Sequence, residues 1–117
     1  MITSLGANLS ALDAFGKRMQ VTSNNIANAD SLGFKKSRAL IKEGLNNNVE
    51  VEVTRIESPG HILTETVEGK PSEKESSNVD LTEEIPQTIS TQRGYEANIK
   101  FIETQEEVLG SILDIIG

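Results

Sequence analysis

SNVDLTEEIPQTISTQRGYEAN, residues 77–98, decides how this chain folds. Behind Asp80 an apolar stripe begins at Leu81 and runs through Ile85, Ile89, Gln92, Tyr95, Ile99, Ile102, Glu106, Leu109, Leu113 and Ile116, stepping by three and four to the end of the sequence. That period is helical. Asp80 followed by Glu83 forms a capping-box pattern, in which Asp80 accepts from the first-turn amides and Glu83 reaches back. A helix of about 35 residues, roughly 52 Å long, is therefore predicted. Two residues disturb it. Pro86 deletes a backbone bond beyond the first turn, costs about 3 kcal/mol and is expected to kink the helix or delay its start. Gly94 costs about 1 kcal/mol relative to alanine and is expected to admit a neighbouring backbone closely.

Working outward, the other end of the chain carries a matching stripe. Ile2, Leu5, Leu9, Leu12, Phe15, Met19 and Ile26 predict a first helix over residues 2–26, with Ser4 as its cap, and Leu5, Leu12, Met19 and Ile26 fall seven apart in one seam. Asn24, Asn25 and Asn28 are expected to stop it, because their amides compete for backbone hydrogen bonds, and they equally suit subunit contacts, while Gly33 supplies a turn position. Packed antiparallel, this seam meets Ile99, Ile102 and Leu109 of the last helix, first as an intramolecular core and, in a polymer, as a contact between copies.

Between the helices, Val49, Val51 and Val53 alternate with polar residues, Ser58-Pro59-Gly60 makes a turn, and Ile62 to Val67 is a second β-branched run. These predict one two-stranded hairpin. Glu68 to Ser77 has no apolar residue beyond a proline and predicts a flexible linker. The expected fold class is mainly α, with long terminal helices packed as an antiparallel coiled-coil-like hairpin and a small central β-hairpin. Its parts are an N-terminal helix in 1–30, a linker and β region in 31–77, and a C-terminal helix in 78–117, with 1–30 and 78–117 forming one helical unit.

Composition narrows the function. Of 117 residues 36% are hydrophobic and four are aromatic, so the core is expected to be thin and the molecule elongated. With neither Cys nor Trp, disulfides, thiolate chemistry and cysteine zinc sites are excluded. The net charge of −7 is uneven: residues 1–44 carry six basic and three acidic side chains, residues 45–117 five basic and fifteen acidic ones. The halves are complementary, which favours their pairing, though each exposed ion pair adds only about 0–1 kcal/mol. The basic cluster Lys35, Lys36 and Arg38 is small and lacks interleaved aromatics, which argues against a nucleic-acid partner. No run approaches the ~20 apolar residues of a membrane span, and the N-terminus does not read as a cleaved secretory signal. His61 stands at a turn without a second His or a Cys, and Glu83-Glu84 and Glu106-Glu107 are expected to be solvated helix faces, so no catalytic, metal or cofactor site is expected. Arg93 and Tyr95 suit an interface anchor pair.

SNNIANADSLGFK (23–35) and SSNVDLTEEIPQTISTQRGYEANIKFIET (76–104) resemble the terminal signatures of the bacterial flagellar rod, hook and hook-filament junction proteins, over roughly the first and last forty residues. Asn24, Asn25, Asn28, Gly33 and Phe34 carry the first box; Asn78, Val79, Asp80, Leu81, Arg93, Tyr95 and Asn98 carry the second. The chain departs from the family at Asp30-Ser31-Leu32, Pro86 and Gly94. The resemblance implies a rod-type structural subunit of the flagellar basal body that uses its paired terminal helices to build the axial tube that transmits torque. It implies self-association, contacts with other axial proteins of rod and hook, export by the flagellar type III apparatus without a cleaved signal, and a place in the periplasmic rod. It implies no enzyme activity and no small-molecule substrate. The alternative is a non-polymerising adaptor or regulator of the basal body or export apparatus.

Overall fold

In a computed structural model the described residues are 2–116, with side chains described from Leu5. Two helices, α1 (Ile2–Ala27) and α2 (Leu81–Ile116), bracket four strands: β1 (Ser37–Glu43), β2 (Val49–Arg55), β3 (Ile62–Val67) and β4 (Lys70–Glu75). The molecule measures 83 × 24 × 17 Å with a radius of gyration of 21.1 Å. A compact chain of this length would have about 13 Å. The thin core expected from composition is therefore real, and Ala14 is the fully buried apolar residue among those described.

α1 packs on α2 and on β1 and β2. Asn8 reaches Gln105, Phe15 lies on Gly94 and Arg18 donates to Gln87, so the two helices run antiparallel as the stripes predicted. α2 is helical without interruption from Leu81 through Pro86, so the proline does not delay its start. Asp80 caps it, accepting from the Thr82 amide at 2.9 Å and from the Thr82 hydroxyl at 2.6 Å. Glu83 does not close the expected capping box; its carboxylate instead takes Lys36 and Arg38, each at 3.1 Å, because β1 brings two cations within reach. α1 already begins at Ile2, so Ser4 lies inside the helix, and the expected cap and the Ile2 contact fall outside the described side chains.

The β pairing differs from the expected one. β2 pairs with β1, not with β3, in the antiparallel register Ser37↔Arg55 to Glu43↔Val49. β3 pairs with β4, from Ile62↔Glu75 to Val67↔Lys70, so the stretch expected to be a linker is a strand. Turn chemistry is the reason. Glu68 and Gly69 both have positive φ (53° and 77°), the two-residue turn whose twist matches a tight hairpin. Asn46 and Asn47 likewise sit at φ 59° and 61°, which asparagine tolerates, and they turn the chain between β1 and β2. Ser58-Pro59-Gly60 instead joins the two hairpins. β1 and β2 show alternating burial as they lie on α1, whereas all six residues of β3 are exposed.

Candidate assembly interface

The two sequence boxes meet where the helices join the hairpins. Asn25, on the last turn of α1, is 1% exposed; its amide donates to the Ser37 carbonyl at 2.7 Å and its carbonyl accepts the Ser37 amide at 3.0 Å. It therefore replaces a strand partner for the first residue of β1. Asn78 does the same on the other side, accepting from the Lys36 amide at 2.6 Å and donating to the carbonyls of Ile56 (2.8 Å) and Ser58 (2.9 Å). Its own amide donates to Phe34 at 3.2 Å. A buried backbone group left without such a partner costs about 1–3 kcal/mol. Asn24 and Asn28 have a local role: the Asn28 amide group donates to the Asn24 carbonyl at 2.9 Å and finishes the helix. Gly33 has φ 71°, and its amide donates to the Glu75 carbonyl at 2.8 Å, tying the outer edge of β4 to the end of the first box.

Charges complete the junction. Lys35 donates to the Glu75 carboxylate, which also accepts the Gly60 amide at 2.9 Å; together they hold the Glu75 carboxyl below its ordinary value, with Lys35 the larger cause. Asp80 is likewise lowered, by the Thr82 hydroxyl first and the Thr82 amide second. All three members of the basic cluster, Lys35, Lys36 and Arg38, thus engage acids from the C-terminal half, as the complementary charges suggested. Gly60 reads in the sequence only as a turn residue, and its close approach to the chain does not show there. A Cβ there would lie 2.0 Å from the Ser76 carbonyl oxygen, so the second hairpin leaves the junction only if this residue has no side chain.

Along the helical pair, the contact is not the apolar seam that the heptad spacing predicts. On α2, Glu84 and Thr91 are buried, while Thr88, Gly94, Asn98, Ile102 and Gln105 are half-buried, so a mostly polar and small face meets the rest of the fold. Glu84 is 5% exposed, not the solvated face expected of it. Gly94 accommodates the Phe15 ring, not a backbone: a Cβ would fall 2.7 Å from Cζ and 2.8 Å from Cε1. Thr91 Oγ1 is buried without a hydrogen-bond partner. Asn98 bonds back to the Gly94 carbonyl at 2.8 Å. On α1, Leu12, Met19 and Ile26 are half-buried, and Leu5 is exposed.

The apolar ridge of α2 is left open. Leu81, Ile85 and Ile89 are 44–52% exposed, and Tyr95, Ile99 and Leu109 are exposed as well. At the far end Leu113, Ile115 and Ile116 are exposed too, as are Leu5 and Leu9 of α1. Val79 is half-buried and Arg93 exposed on the outer side of α2. So the structure gathers Asn25, Gly33, Asn78 and Asp80 at one junction, and it spreads Leu81, Tyr95, Ile99 and Leu109 along an open flank. Among the described residues no group of three His, Asp or Glu side chains is placed to hold a metal, and no helix is long and apolar enough to cross a membrane.

A long pair of helices, cross-braced at one end and open along an apolar flank, has the build of an elongated subunit that completes its core against neighbours. Comparison with known proteins names the class. Residues 5–35 match the family described as flagella basal body rod protein, and residues 74–115 match the flagellar basal body rod FlgEFG protein C-terminal family. Over 110 residues the chain is 34% identical to the flagellar basal-body rod protein FlgG of Bacillus subtilis, covering 92% of this chain and 39% of that protein. It is 33% identical over 97 residues to the flagellar hook protein FlgE of Treponema pallidum, covering 80% of this chain and 20% of that one. This chain belongs to the flagellar basal-body rod and hook protein family, whose members are structural proteins. It spans about two-fifths or less of the length of these relatives.

Proposed function

We propose that this chain is a structural subunit of the bacterial flagellar basal-body rod, that it assembles through its paired terminal helices into the axial tube, and that it transmits torque there without catalysing a reaction. The reading rests above all on the open apolar ridge of α2. Fully burying an Ile or Leu side chain stabilises by about 1.5–3 kcal/mol, and Leu81, Ile85 and Ile89 are each about half exposed, so covering the ridge supplies a few kcal/mol per contact. Neighbouring copies and other axial proteins of rod and hook are the proposed cover. The proposed route is export by the flagellar apparatus without a cleaved signal, and the proposed location is the periplasmic rod. Subunit contacts are assigned to the ridge and to Arg93 and Tyr95, whereas Asn24, Asn25, Asn28, Gly33, Asn78 and Asp80 shape the subunit itself.

Deletion of residues 1–28 or 99–117 in the producing cell tests the proposal. Motility and recovery of the chain in isolated basal bodies should both be lost. Motility that survives either deletion contradicts it, and a stable discrete oligomer outside the basal body would favour the adaptor reading.

A further inference from the structure

Apart from the ridge, one element stands without a surface to lie on. All six residues of β3 are exposed, and what fixes the β3–β4 hairpin sits at its base: the Gly33 amide and the Lys35 side chain on Glu75, and the Ser76 amide on the His61 carbonyl at 2.7 Å. A two-stranded hairpin is marginally stable by itself. The 36 residues of α2 account for about 54 Å of the 83 Å length, while α1 lies alongside α2 and the first hairpin alongside α1. The second hairpin, about 20 Å long, therefore reaches out beyond the start of α2.

Its two faces differ in charge. Cross-strand pairs share a face, so Leu63, Glu65 and Val67 of β3 stand with Lys70, Ser72 and Lys74 of β4 on one side, and the other side carries Glu73 and Glu75 as its charged residues. On the first side Lys74 pairs with Glu65 at 2.9 Å, which leaves Lys70 over. Lys70 and Arg93 are the Lys and Arg side chains without an ion pair or side-chain hydrogen bond among the described residues, and Arg93 shares a depression of α2 with Glu96. Beside Lys70, Leu63 and Val67 are 44% and 50% exposed.

The matching surface lies at the opposite end of the molecule. Glu106, Gly110, Leu113 and Asp114 of α2 are all exposed and fall within about 100° of arc, and neither acid has an ion pair or side-chain hydrogen bond among the described residues. This strip continues the flank of Ile99, which stands two turns before Glu106. Gly110 leaves a gap in it, since a Cβ there meets nothing within 4 Å, and Glu106 and Asp114 lie about one turn to either side.

We infer that the β3–β4 hairpin of one copy lies on this strip of the next copy, with Val67 over Gly110 and Lys70 between Glu106 and Asp114. Hairpin and strip are at opposite ends, so the contact is heterologous: each copy gives one and receives one, and the contact repeats end to end. The inference rests on the rod reading and specifies its lengthwise contact.

The chain has no cysteine, and positions 67 and 110 are too far apart to bond within one copy. Basal bodies are isolated from cells producing the full chain with Val67→Cys and Gly110→Cys together. After oxidation, non-reducing electrophoresis should show a ladder of dimers, trimers and higher species, with neither single variant forming one. In parallel, Lys70→Glu alone, or Glu106→Lys with Asp114→Lys, should lower incorporation about tenfold, and all three together should restore it. This second readout decides the matter where the cysteine pair does not incorporate. With the wild-type chain present in basal bodies, three results each overturn the inference and leave the rod reading standing: no ladder from an incorporated cysteine pair, cross-links to a different protein in place of a ladder, or charge reversals that are neutral or not mutually rescued. Absence of the wild-type chain from basal bodies sinks both.

Discussion

Replacing Gly94 with alanine gives the sharpest prediction about the helical pair. In an open helix the change stabilises by about 1 kcal/mol, because glycine gives up more backbone freedom than alanine. Here the added methyl would fall 2.7 and 2.8 Å from ring carbons of Phe15, well inside contact distance. Phe15 is half-buried on α1 and has to shift or part from α2, and overpacking of that kind costs about 1–3 kcal/mol. The net result for Gly94→Ala is a destabilisation of about 0–2 kcal/mol. Gly110 is the internal control, since a Cβ there meets nothing within 4 Å. Gly110→Ala should gain about 1 kcal/mol, leaving the two variants about 2 kcal/mol apart and of opposite sign. Urea unfolding followed by far-UV circular dichroism measures both, and a difference of 1 kcal/mol corresponds to about 4 °C in Tm at this chain length. Adding Phe15→Leu should recover part of the loss at Gly94 and none at Gly110. Equal stabilisation by both alanines would refute the packing of Phe15 on Gly94.

Three further outcomes follow from the junction. Asn25→Ala leaves the amide and carbonyl of Ser37 without their partner and should lower stability by about 1–3 kcal/mol, with faster amide exchange across β1. Gly60→Ala places a Cβ 2.0 Å from the Ser76 oxygen, so NMR should show loss of the Ser76 to His61 hydrogen bond and altered shifts through β3 and β4, while α1 and α2 are unchanged. Glu75 and Asp80 have carboxyls lowered from their ordinary values of 4.5 and 3.8, so their contributions are complete above those values and fade as acidification passes through the lower folded values. Acid titration of stability should therefore fall below about pH 4.5, and Glu75→Gln should flatten the drop.

Much of this was legible in the sequence. The three-and-four stepping of both stripes gave the two helices, because that period depends on local geometry alone; their antiparallel run was expected as well, but through an apolar seam that the structure does not use. Asp80 as cap and the asparagines as helix stop were equally local. The strand pairing was hidden because β4, with Lys70, Glu73, Lys74 and Glu75, has no apolar alternation to mark it. Its signal was the Glu68-Gly69 dipeptide between two runs of equal length. The face that α2 turns inward was also hidden. Rotation of a helix about its own axis is set by what packs beside it, here Phe15 on Gly94 and the cations of β1 on Glu83, and those contacts cross more than forty residues. The ridge Leu81, Ile85 and Ile89 was visible as apolar, but its exposure in the single subunit was not.

That exposure carries the account, and electron microscopy of intact basal bodies from the producing cell tests it most directly. The account predicts density for the paired helices inside the axial tube, with Ile85 and Ile89 covered by neighbouring subunits. A chain located outside the axis, or one inside it whose ridge faces solvent, would contradict it.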